Sequence, residues 1–223
     1  MGRVARVAVG GEIYHVINRA AARLQIFNVP SDYQLFLSLL QEAKDKNNID
    51  IYSYVLMPNH WHLQVRPEND GDLARFMHGL TNAHTRKIHT LTKTIGYGPL
   101  YQGRYKSFLV ESDSYLLTVL KYIERNPVRA KLVTKAEDWK WGSSWIRIHG
   151  NKEQKKLLSD TPAPLPKNYE AWVNTEDSPG DLESMRASTN KGTPFGRKTW
   201  IEQMVESYNL GATMRDPGRP TKK

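Results

Sequence analysis

The segment Met57-Pro-Asn-His60-Trp61-His62-Leu-Gln-Val65 carries the side chains with the clearest chemical reading. Read as a strand, it sends His60 and His62 to one side and Trp61 to the other, so two imidazoles can reach one metal ion from a rigid element. Two ligands are not a site, and taken alone the pair also reads as solvated or core histidines. A second pair comes from a helix that ends near residue 126. Laid out at 100° per residue, Leu116, Val119, Leu120 and Ile123 form its apolar stripe, with Tyr115, Tyr122 and Asn126 along one edge. Tyr122 and Asn126 are i, i+4 neighbours, so a phenol and an amide oxygen can address one small volume. Taken alone, this is equally an amphipathic helix with two boundary tyrosines.

The elements that must position these groups follow from hydrophobic period and capping. Residues 11–19 read as a strand, and Ser31-Asp32 caps a helix running to about Asn47. Two strands follow, at 49–57 and 58–66, the first with Ile49, Ile51, Ser53, Val55 and Met57 expected on one face. Asn69-Asp-Gly-Asp72 caps a second helix whose buried stripe is Leu73, Phe76, Met77 and Leu80. After a Gly/Thr-rich connection at 90–103 comes a strand at 104–110. Ser112-Asp113 then caps the helix of Tyr122, which must stop near Asn126 because Pro127 disfavours helical geometry in the residue before it.

That order, strand-helix-strand-strand-helix-strand-helix, predicts an α+β, ferredoxin-like (RRM-like) fold: one antiparallel sheet with helices packed on it. Trp139, Trp141 and Trp145 are expected at its edge. Residues 1–150 form the expected catalytic domain. Residues 151–223 form an expected extension, with a linker or loose wrapping segment at 151–195, a helix at 197–208 closed by Gly211, and a basic tail.

Composition narrows the function classes. The chain has 223 residues, no cysteine, and 32 Lys and Arg against 23 Asp and Glu, for a net charge of +9. Absence of thiols excludes disulfide frameworks, Cys-type zinc fingers, thiol nucleophiles and iron–sulfur clusters, so any metal must be held by His, carboxylate, amide or hydroxyl. The positive charge favours a polyanionic partner, and +7 of it sits in residues 1–150. No apolar run is long enough to span a membrane, and the basic N-terminus lacks the apolar block of a signal peptide. A cytoplasmic, nucleoid-associated protein with no membrane partner is expected.

Four blocks in register carry a family resemblance. They are Tyr14-His15-Val16…Arg19, Tyr54-Val-Leu-Met-Pro-Asn-His60-Trp61-His62-Leu63, Tyr101-Gln-Gly-Arg104-Tyr-Lys-Ser107 and Tyr122-Ile-Glu-Arg-Asn126-Pro-Val-Arg129-Ala-Lys-Leu-Val133. The chain resembles the single-tyrosine HUH transposases, specifically the REP-associated tyrosine transposase group, over about residues 8–148. It departs from the group at Lys131, where a small residue, usually Gly, is expected.

What the resemblance implies is a single-strand DNA endonuclease and strand transferase acting beside hairpin DNA. His60, His62 and Asn126 would bind Mg²⁺ or Mn²⁺, and Tyr122 would be the nucleophile that becomes linked to a 5′-phosphate. Near such a site Arg19, Arg104, Lys106, Arg125 and Arg129 read as phosphate contacts, with Lys131 and Lys135 nearby. Arg219 in the terminal Gly-Arg-Pro is a candidate minor-groove hook. Tyr97, Tyr101 and Tyr105 can stack bases or pack, and His15 is either a group behind the ligands or a core histidine. The alternative from another class is a non-catalytic nucleic-acid-binding module with an RRM-like fold. It would need exposed aromatics on the central strands, where this chain has histidines.

Overall fold

The computed structural model describes residues 7–215, so Arg219 lies outside the described residues. Period-two segments pair into one antiparallel sheet of order β2-β3-β1-β4, with β1 at Ile13–Arg19, β2 at Ile49–Met57, β3 at His60–Pro67 and β4 at Lys106–Val110. Helices α1 (Pro30–Asp45) and α2 (Asp72–Thr92) join β1 to β2 and β3 to β4, completing the α+β ferredoxin-like order. Pro58 and Asn59 form the β2–β3 turn. The Pro58 carbonyl accepts the Ile26 and Phe27 amides at 2.9 and 3.1 Å, and the Asn59 carbonyl accepts the Ala20 amide at 2.9 Å. The strand expected from Pro58 therefore begins at His60.

The expected single face of β2 is split. Register with β3 shifts between Ile51 and Ser53, and one extra residue reverses the facing of everything after it. Ile49 and Ile51 consequently join Tyr54 and Leu56 in the core beneath α1 and α2, while Tyr52, Val55 and Met57 join the core on the opposite face. The start of α1 also differs from expectation. Asp32 sits inside the first turn and reaches back to accept the Asn28 and Val29 amides at 2.8 and 3.1 Å, so Val29 is the cap position.

The second face of the sheet is covered by α3 (Ser114–Glu124), whose Leu116, Val119 and Ile123 pack with Phe108 and Val110. After Arg125 the chain resumes as α4 (Asn126–Arg129), with Pro127 in a first turn where its missing N–H costs nothing. Lys131 then takes φ 57°, the left-handed conformation that glycine adopts freely. The position expected to hold glycine thus has a backbone reason for it.

Both sheet edges are covered. Along β2, Trp141 O accepts the Leu56 amide at 2.9 Å, Trp139 Nε1 donates to Leu56 O at 2.9 Å, and Ser143 Oγ accepts the Tyr54 amide at 3.0 Å. Ser143 opens α5 (Ser143–His149). On the β4 side Phe195 donates its amide to Leu109 O at 2.8 Å and accepts that of Glu111 at 2.9 Å. Residues 151–195 are therefore not a linker. They contain α6 (Lys152–Lys155), α7 (Tyr169–Asn174) and α8 (Pro179–Lys191), with Val173 and Met185 fully buried. The last helix, α9 (Lys198–Ser207), is followed by Asn209 in the left-handed region at φ 52°, ahead of Gly211. Among the described residues no helix is long and apolar enough to cross a membrane.

Relieving the left-handed side chain is measurable. Lys131→Gly relieves about 1–2 kcal/mol of left-handed strain and gives back about 0.4–1 kcal/mol to the freer unfolded chain, so unfolding stability should rise by about 0.5–1 kcal/mol, as read by urea denaturation. A loss of stability would contradict the backbone reason given for that position.

Candidate active site

His60 and His62 lie at the start of β3, opposite Arg19 and Ile17 of β1, with ring centroids 5.1 Å apart. Each ring is oriented through Nδ1. Asn59 Oδ1 lies 2.7 Å from His60 Nδ1, and since an amide oxygen only accepts, His60 carries its proton on Nδ1 and presents an Nε2 lone pair. His62 Nδ1 lies 2.8 Å from Nε2 of His15, which is fully buried on β1. Burial draws His60 down to about 4, with Arg19 adding to the shift, and His15 to about 3. His62 is held well below its ordinary value by burial first, then by His15, His60, Arg129 and Arg19. All three rings are neutral at pH 7, the protonation state a metal ligand requires.

Those residues fit a divalent cation. With Nε2 of His62 as a lone pair, its Nδ1 proton goes to His15 Nε2, and His15 keeps its own proton on Nδ1, a buried nitrogen with no partner among the described residues. His15 therefore backs His62 directly.

Tyr122 borders the same site from α3. Its ring stands edge-on to His62 at 6.2 Å and to His15 at 6.3 Å between centroids. The Arg129 guanidinium lies 4.2 Å from the centre of that ring, and Arg129 also donates to the Tyr122 carbonyl. Asn126 Nδ2 reaches the same carbonyl at 3.4 Å, a contact with the backbone of Tyr122 and not with its phenol. Tyr115 instead packs against Phe195, 5.4 Å between centroids. The Tyr122 ring thus meets the rings of His62 and His15, with His60 beside His62, at the junction of β1, β3 and α3.

The family model described as "Transposase IS200 like" matches residues 8–126, more than half of the chain. The chain belongs to the IS200-like transposase family. Among solved structures it is similar to a REP-associated tyrosine transposase bound to a REP hairpin, at 17% identity and TM-score 0.57, covering 80% of this chain and 96% of that one. A putative transposase from Deinococcus radiodurans R1 aligns at 21% identity and TM-score 0.40 over 56% of this chain and 97% of that one. No curated protein matches the sequence.

In this transposase the expected phosphate contacts fall into two groups. Arg19, Arg104 and Lys106 line one cleft of about 380 Å³ with Asn18 and Gln102, and because Ile17 pairs with both His62 and Lys106 the cleft adjoins the histidines. Arg125 and Arg129 are not free. Both donate to Asp177 Oδ2, at 3.1 and 2.9 Å, and the side chains of Arg125 and Asp177 are each 9% exposed. Tyr101 is also committed, its hydroxyl bonded to Trp61 Nε1 at 3.0 Å and His84 Nδ1 at 2.6 Å. Tyr105 is buried as well, whereas Tyr97 is exposed. The RRM-like binding platform is disfavoured because α3 lies over the sheet face such a module would offer, with Leu116 O accepting Gln64 Nε2 at 3.0 Å.

Two contributors had no reading from sequence. Asn59 immediately precedes His60, a signal of sorts, whereas Asp177 lies far along the chain and had none.

The buried histidines set a pH dependence. Their ordinary value is 6.5, and His15, His60 and also His84 fall to between about 3 and about 4 when folded. Below 6.5 the unfolded chain takes up protons that the folded chain refuses, so stability is fully present above 6.5 and erodes as pH falls toward 4. Thermal midpoints should drop between about pH 7.5 and pH 5. A midpoint flat over that interval would contradict neutral burial of these rings.

Proposed function

We propose that this transposase is a metal-dependent single-strand DNA endonuclease and strand transferase that cuts beside hairpin DNA. The observation that carries the reading is the edge-on placement of Tyr122 against His62 and His15, on a chain whose family model reaches through Asn126. The structurally similar transposase held with a REP hairpin supports a palindromic substrate.

Tyr122 Oη attacks the phosphorus of the scissile phosphodiester and the P–O3′ bond breaks. The departing 3′ oxygen gains a proton, the phenol loses one, and the 5′-phosphate stays on Tyr122. Resolving that linkage with another 3′-hydroxyl rejoins DNA without an external energy source, because the phosphodiester count is unchanged. The Arg129 guanidinium packs over the ring of the nucleophile. His60, His62 and Asn126 would hold Mg²⁺ or Mn²⁺, which when bound supplies charge stabilisation at the phosphate. Arg19, Arg104 and Lys106 hold the DNA backbone along the adjoining cleft, and Arg219 is a further DNA contact. Residues 1–150 form the catalytic domain and 151–223 its extension, acting in the cytoplasm at the nucleoid.

Tyr122→Phe should leave hairpin binding intact and abolish both cleavage and the denaturation-resistant DNA adduct, and excess EDTA should stop cleavage at little cost in binding. The substrate for this test is end-labelled hairpin DNA with a single-stranded tail. Equal cutting of the same sequence as full duplex, or an adduct surviving in the Phe variant, would overturn the proposal.

A further inference from the structure

We propose that Asp177, in the turn between α7 and α8, is a positioning residue that holds Arg129 against Tyr122 and so fixes the nucleophile from the C-terminal extension. This deepens the reading of Tyr122 given above and rests on it.

Three cations repeat at i, i+4 and i+8 along α3 and α4, and every one of them docks on residues 173–177. Lys121 Nζ reaches Thr175 Oγ1 at 2.6 Å and Glu176 O at 3.3 Å. Arg125 reaches Val173 O at 3.4 Å and Asp177 at 3.1 Å. Arg129 reaches the same carboxylate oxygen at 2.9 Å. The first two bind the turn to the helix. Arg129 does something further, because its guanidinium also lies over the ring of Tyr122 and donates to the carbonyl of Tyr122.

A guanidinium is planar and presents donors in a rigid fork, so anchoring one arm sets where the others point. Burial works against the charge on Arg129, and Asp177 is the carboxylate that offsets it. Without that partner the favoured place for the cation is water, away from the ring. Tyr122 is only half-buried, and its outer face is then left without the group that packs it. A nucleophile must meet its phosphorus in line, and small misplacements of such a group cost rate while leaving distant binding contacts untouched. The extension therefore contributes to chemistry without supplying a reacting atom.

A neighbouring idea makes the opposite prediction for binding. If residues 173–177 served to mask Arg125 and Arg129 from DNA, freeing them would tighten binding.

The test uses the full-length protein with tailed hairpin DNA and five variants. In Asp177→Asn the single-turnover rate of adduct formation should fall by about 10–100-fold with Kd unchanged. Arg129→Lys, which keeps the charge and loses the fork, should show the same rate loss, and it decides the matter if the first variant does not fold. Asp177→Glu should recover most of the rate. Thr175→Val, which removes a contact of the same turn without touching Arg129, should leave the rate unchanged. A readout independent of cleavage is the ¹⁹F spectrum of fluorotyrosine-labelled protein without DNA, the Tyr122 line being assigned by its loss in Tyr122→Phe. That line should move toward free fluorotyrosine in Asp177→Asn and in Arg129→Lys and stay in place in Thr175→Val. An unmoved line, or tighter binding with undiminished cutting, would overturn the proposal. Should the wild-type protein form no adduct on Tyr122, the functional reading fails, and the ¹⁹F line alone still decides whether Asp177 fixes the ring.

Discussion

Two imidazoles facing each other at 2.8 Å inside a sheet, His15 on β1 and His62 on β3, are the contact on which the site depends. Neither ring has access to enough water to carry a charge, so the pair shares hydrogen bonding as neutral groups, and the proton on one nitrogen dictates the state of the next. With His62 Nδ1 as the donor, that chain of assignments leaves its Nε2 as a lone pair. Asn59 does the same for His60 from the β2–β3 turn, at 2.7 Å. The turn is itself held by the carbonyls of Pro58 and Asn59, so the sheet and its connections fix the direction of both rings before any ligand arrives.

Covering that polar strip is the task of α3, and covering it brings Tyr122 into place. Leu116 O satisfies Gln64, Ile123 and Val119 fill the apolar remainder, and Tyr122 follows at the ring edges of His15 and His62. Beyond Tyr122 the helix is pinned through Glu124, whose buried carboxylate accepts from Ser143 Oγ at 2.6 Å and Arg147 Nε at 3.2 Å, and also from the Tyr169 hydroxyl. The helix that carries the proposed nucleophile is thus braced by α5 and by α7 of the C-terminal extension. In this chain the extension is structural support for the site.

The order of elements was legible because it is written in local periods: two for the strands, 3.6 for the helices, and capping residues between them. His60, His62, Tyr122 and Asn126 stood out for the same reason, each pair sitting at a spacing that puts both members on one side of a regular element, and the family resemblance alone suggested their roles. The β2 bulge was not, since register is a property of pairing with β3 and not of β2 alone. Arg125 and Arg129 looked like free cations because nothing near them in sequence is acidic enough to claim both. Their partner is 52 and 48 residues away. Polar composition likewise hid the packing of 151–195, where a few apolar anchors such as Val173, Met185 and Phe195 suffice. Lys131 shows the converse: departure from an expected glycine marked a left-handed backbone position that no periodicity would reveal.

The central claim is that one phenol, set against two neutral imidazoles, accepts the DNA 5′-phosphate. Mass spectrometry of the tryptic digest of the denatured adduct tests it most directly. Lys121 and Arg125 bracket the short peptide Tyr122-Ile-Glu-Arg125, which holds a single tyrosine, whereas Tyr115 falls in the separate peptide from Ser107 to Lys121. The account predicts the added nucleotide phosphate mass on the Tyr122 peptide alone. The same mass on the Tyr115 peptide, or on none, would contradict it.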